Sequence, residues 1–181
     1  MQQTQGNPNP LEENGEIKRY MRVVYTVILM TAVLWCGGIL LAPLWQGELD
    51  FRGSVSDFLY TFFSTSCHQL PERSLFLDGV KLGVCSRCTM VYFGFLLSTV
   101  IYPFVKKLNN IELPALWILF TGAGLVALDA GLEIFHVHNN TFFSREITGG
   151  IIGLILPFYI IPGSVRLFEE FFSPPKVVPK K

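Results

Sequence analysis

The sequence predicts an all-α integral membrane protein: a four-helix transmembrane bundle with a cysteine-rich cap outside the membrane. Three observations carry that expectation. Half of the 181 residues are apolar and only 15% are charged, below the roughly 25% usual in soluble domains. Mean hydropathy is +0.43. Four stretches approach the roughly 20 apolar residues that a helix needs to cross hydrocarbon. Backbone groups left unpaired in lipid cost several kcal/mol each, so helices are the expected form of all four. Formal net charge is zero, so nothing in the charge balance points to nucleic acid.

Residues 1–18 open the chain as a polar tail with an Asn-, Gln- and Gly-rich start, expected to be disordered. The membrane domain is expected to span residues 19–170. Its first crossing runs from about Met21 to Leu44, with no charge after Arg22. A basic flank precedes it, but the apolar run exceeds a signal-peptide core and no small-x-small cleavage site follows. The expectation is a retained helix in which Cys36 is a packed, inert thiol. The second crossing covers about 89–105, the third 113–135 and the fourth 147–167. A Pro- and Lys-rich tail, 171–181, closes the chain.

Lys and Arg set the expected orientation. Lys18, Arg19 and Arg22, then Lys106 and Lys107, then Arg166 and the tail lysines all fall on one side if the chain crosses four times. That side is read as the cytoplasm of a cell (inner or plasma) membrane, with both termini inside. The 45–88 loop then faces out.

This loop carries structure signals. In SVSDFLYTFFSTS (54–66), Val55, Phe58, Leu59, Phe62 and Phe63 recur at helical spacing. A short amphipathic helix is expected there, capped by Ser54. Asp78-Gly79 between short apolar runs signals a tight hairpin. Such a turn sends Cys85 and Cys88 back toward Cys67.

Cys85-Ser-Arg-Cys88 is a C-x-x-C pair, a spacing that lets two thiolates share one metal or form a reactive disulfide. Cys67, Cys85 and Cys88 offer three soft ligands, and His68 is the expected fourth; His136 and His138 are alternatives. Zinc is the default ion, with iron also compatible. The competing chemistry is redox, with Cys85 and Cys88 cycling at a helix start beside Arg87. That layout is similar to the disulfide-forming quinone reductases of bacterial inner membranes, whose second, loop-borne cysteine pair is missing here. A structural membrane subunit is the third reading.

Asp129 and Glu133 lie four residues apart, hence on one face of the third helix. Ionisable groups at such depth normally face a partner, and Arg73, Arg87 and Arg145 lie on the same side. These five residues are expected to form a polar pocket under the cap. Its expected ligand is a small or lipid-linked molecule, with membrane lipid as a partner and homo-oligomers possible. Gly149 and Gly153 form a G-x-x-x-G pattern that permits close helix approach.

Cys67-His68-Gln69-x-Pro71-Glu72-Arg73-Ser74 and Cys85-x-Arg87-Cys88-Thr89 are followed by Tyr92 and Gly94. Further on come Asp129 and Arg145-x-x-Thr148-Gly149-x-x-x-Gly153. In this combination, over roughly residues 60–160, the chain resembles the bacterial and archaeal membrane family called domain of unknown function 2085. It departs from the family's usual pattern at Met90 and Glu133. The resemblance implies a membrane fold and singles out the same cysteine, arginine and aspartate positions, without assigning them a chemistry.

Overall fold

A computed structural model describes residues 10–47, 50–106, 112–135 and 141–172. His136, His138, and the tails 1–9 and 173–181 lie outside the described residues.

Helix α1 (Pro10–Leu44) starts earlier than the sequence reading placed it. The expected disordered tail of 1–18 is corrected here: it is helical from Pro10. Proline at the first helical position costs no hydrogen bond and its fixed φ suits the first turn. The apolar part able to cross a membrane is Lys18–Leu44.

α2 (Phe51–Ser64) follows, capped by Asp50 rather than Ser54, with the Asp50 carboxylate accepting from the Arg52 amide at 2.9 Å. Its residues divide between a packed side and an outward side. Gly53, Ser56 and Phe63 are buried, whereas Phe58 is 65% exposed. Small residues let α2 lie close to α1, and the Ser56 hydroxyl donates to the Ala42 carbonyl at 2.7 Å. Phe51, Phe58 and Phe62 face outward, as in a helix lying in the membrane interface.

A 3₁₀ turn (Pro71–Arg73) leads into β1 (Ser74–Leu77), which pairs antiparallel with β2 (Val80–Cys85). Asp78 and Gly79 connect them, both at positive φ (50° and 81°), the backbone of the two-residue turn that matches strand twist. Strand β2 runs straight into α3 (Ser86–Val105). α4 (Leu116–Ile134) comes next, then α5 (Phe142–Ile155) and α6 (Pro157–Phe172). The fourth crossing, Phe142–Leu167, is therefore two helices meeting at Leu156. Pro157 lacks the N–H that would continue the ladder. Among the described residues, four segments are long and apolar enough to cross a membrane.

α3 and α5 form the centre. A side chain on Gly149 would collide with the Arg87 backbone, and one on Gly153 with the backbone of Val91 and Phe95. From the α3 side, a Cβ on Gly94 would sit 3.0 Å from the Gly150 carbonyl oxygen. The Ser98 hydroxyl donates across the same seam to the Leu154 carbonyl at 2.6 Å. The seam leaves no room for a methyl group, so Gly153→Ala is expected to lower stability by about 1–3 kcal/mol. A melting curve in detergent reads this; an unchanged midpoint would mean that the two backbones are not in contact. α1 flanks α3 on one side and α4 packs chiefly on α5 at the other. One apolar cluster joins Met21, Tyr102, Ile161 and Val165 at the far end. The other, Ile39, Phe63, Cys67, Leu82 and Val84, binds the cap to α1.

Candidate metal centre and the charged cluster beside it

The chain leaves α2 at Thr65, and the Cys67 amide still reaches back to the Phe63 carbonyl at 2.9 Å. Cys67 thus stays packed beneath the helix end. Gln69 then adopts φ 50° and reverses the chain. Its buried carboxamide donates to the Tyr60 and Gly83 carbonyls, both at 2.8 Å, and its own carbonyl accepts from Lys81 Nζ at 3.0 Å. One side chain thereby ties α2 to β2. The hairpin returns the chain so that the Cys85 amide donates to Cys67 Sγ at 3.2 Å. Cys85 caps α3, and Cys88 lies in its first turn. Their sulfurs are 3.5 Å apart.

The donor atoms of Cys67, Cys85 and Cys88 all lie within 4.8 Å of one another. Tetrahedral zinc with Zn–S bonds near 2.3 Å spaces its sulfurs by about 3.8 Å, so three thiolates so placed can share one ion. None of the four cysteines is in a disulfide. Ile39, Phe63, Leu82 and Val84 surround the trio, with Trp35, Tyr92 and Phe93 packed against them. In this dry setting the Cys67 thiol is pushed well below the ordinary thiol range. Hydrogen bonds from the Cys85 and Cys88 side chains favour its thiolate and, with the Cys85 amide, outweigh burial.

His68 does not join the cluster. Cys67 is buried but His68 is exposed, and His68 lies outside the group of donor atoms close enough to share an ion. The expected fourth ligand is corrected on this point. Cys36 is buried as expected, donating to the Tyr92 carbonyl at 3.4 Å.

The charged residues gather on the other flank of α3. Arg87 pairs with Asp129. The Thr148 hydroxyl lies 3.3 Å from the same Asp129 oxygen. Glu133 Oε1 receives both Arg145 at 2.6 Å and Arg73 at 2.9 Å. Arg73 comes from the 3₁₀ turn, so this contact ties the cap to α4 and α5. All five charged residues named from the sequence are therefore linked, in two ion-paired groups. Gln69 and Thr148 belonged to the sequence motifs but had no assigned role. Their signal was weak, because a polar side chain that bonds backbone or a carboxylate looks the same in sequence as a solvated one.

Helical membrane spans, a hairpin cap and a trio of clustered thiols together define a multi-pass membrane protein with a cysteine-clustered cap. The chain belongs to the family described as predicted membrane protein (DUF2085), matched over residues 67–159. It is also 36% identical over 156 residues to an uncharacterized protein of Methanocaldococcus jannaschii, covering 84% of this chain and all of that one. No solved structure matches the chain.

Proposed function

We propose that the cap is a metal centre, with zinc bound by Cys67, Cys85 and Cys88, and that the adjacent charged cluster receives a small or lipid-borne ligand. The convergence of three sulfurs within 4.8 Å, from segments 18 residues or more apart in the case of Cys67, is the observation that supports the metal. Soft thiolates favour zinc, with iron the alternative. The positive end of the α3 dipole sits under Cys85 and Cys88 and offsets the negative charge of a three-thiolate site. The protein is placed in the cell membrane with its termini in the cytoplasm and the cap outside, on the distribution of Lys and Arg.

Elemental mass spectrometry on protein purified without chelator, with thiols counted in the same sample, tests the metal. About one zinc per chain is expected, with every thiol recovered once the metal is removed. His68→Ala is expected to keep that metal content, because His68 lies outside the group of donor atoms; Cys88→Ser is expected to lose it. No metal, with two thiols missing until reductant is added, would overturn the proposal in favour of a Cys85–Cys88 redox pair. The 3.5 Å sulfur separation at the start of α3 supports that second reading.

A further inference from the structure

Arg145 is 8% exposed, yet its Nε is buried with no hydrogen-bond partner. Arg87 repeats the pattern: its Nε is also buried and unpartnered. In both residues the Nη2 group already meets a carboxylate, Glu133 for Arg145 and Asp129 for Arg87. A guanidinium presents Nε–H and a neighbouring Nη–H as a side-on fork suited to two oxygens. Each fork therefore has one arm engaged and one arm unmet. Leaving a buried donor unmet costs about 1–3 kcal/mol, and more for a charged group, so two unmet arms in one place call for an acceptor.

The two arginines share one place. Gly149 touches the Arg87 backbone, and Arg145 lies one helical turn before Gly149 on the same face of α5. Asp129 and Glu133, one turn apart on α4, link the arginines from the other side. Arg73 adds a third guanidinium at the rim, where its side chain is 43% exposed, and so marks the way in. Among the described ion pairs, three arginines meet two carboxylates, one positive charge more than negative. Unbalanced charge at the end of a membrane bundle is costly.

We propose that this cluster binds a singly charged oxyanion of the phosphate type, held by the free Nε–H arms of Arg87 and Arg145 and closed over by Arg73. A phosphodiester or dihydrogen phosphate carries the one negative charge that balances the site and the oxygens that the forks lack. A lipid headgroup and free phosphate share this chemistry. The inference gives a ligand class to the charged cluster read above as a binding place, and it does not depend on the metal.

The full chain in lipid-free maltoside micelles tests it by thermal unfolding. One arm titrates inorganic phosphate against chloride at fixed ionic strength; the other adds phosphatidylglycerol. A saturable rise in melting temperature is expected in at least one arm. A response to phosphate identifies the free anion as a ligand, and a response to phosphatidylglycerol alone identifies the headgroup. Arg145→Lys keeps the charge but removes the fork, and is expected to weaken the apparent affinity about tenfold or more. Arg73→Gln, at the rim, is expected to weaken it less. The elution profile and helical circular dichroism of each variant establish that its fold is intact, whatever the fate of the metal. No response in either arm, or wild-type responses in both variants, would overturn the proposal and leave internal water as the partner of the Nε groups.

Discussion

With the proposed metal centre in place, a chelator is expected to raise amide exchange in the hairpin, residues 74–85, by about a hundredfold or more. The four membrane crossings should keep their protection. A hundredfold corresponds to about 2.7 kcal/mol of local stability, well within what thiolate–zinc bonds supply to small domains, where binding and folding free energy are one quantity. The reason for a local effect lies in how the cap is held. Its hairpin has only two strands, and an isolated hairpin is marginal in water. What fastens it is a small apolar cluster around Phe63, Leu82 and Val84, the Gln69 carboxamide, and the three cysteines. The helices need none of these, since their hydrogen bonds close within each segment. Cys67→Ser should reproduce the chelator result, and chelator should add nothing further to that variant. Hydrogen exchange read by mass spectrometry provides the comparison. Equal protection of the hairpin with and without metal would mean that the sulfurs do not hold the cap.

The features that depend on local chemistry were legible in the sequence. Asp78-Gly79 predicts its own turn, because few residues tolerate positive φ twice in succession. The spans follow from length and hydropathy alone. The convergence of Cys67 with Cys85 and Cys88 follows from the hairpin between them. Features decided by packing were not legible. The aromatic stripe of α2 signalled an amphipathic helix but not which of its residues pack: Phe58 and Phe62 stay exposed, as a membrane interface accepts, while Gly53, Ser56 and Phe63 are buried. The periodicity of a helix cannot say which of two apolar surroundings each face meets. The stop at Leu156 was hidden inside a continuous apolar run, although Pro157 was visible in it. His68 was read as a ligand from its place beside Cys67, whereas adjacency in sequence does not bring two side chains to one ion: Cys67 is buried and His68 exposed. The charged cluster was half legible. Five residues were named, but sequence has no means of telling which carboxylate each arginine meets.

Asp129→Ala is expected to destabilise the bundle by about 2–4 kcal/mol. The Arg87–Asp129 side chains are 21% and 12% exposed. Truncating one partner strands the other charge at a helix crossing, and breaking buried pairs costs about 3–5 kcal/mol; residual exposure of Arg87 brings the figure down. The Thr148 hydroxyl loses a neighbour at the same time. Replacing both partners should behave differently. Arg87→Leu with Asp129→Leu leaves no stranded charge and fills similar volume, so the double variant is expected to recover most of the loss. A double-mutant cycle by thermal or chemical unfolding in mild detergent measures this, with a coupling of about 1.5 kcal/mol or more expected between residues in one network. Additive losses would show that the two charges act separately. The double variant also distinguishes two roles that a single substitution confounds. If the pair serves only to hold α3 against α4, the apolar replacement should fold and still gain stability from phosphate or phosphatidylglycerol as the native chain does. If Arg87 lends its free Nε arm to an oxyanion, the replacement should fold and lose most of that gain. Stability and ligand response then part company, and the charge at this crossing is kept for binding rather than for the fold.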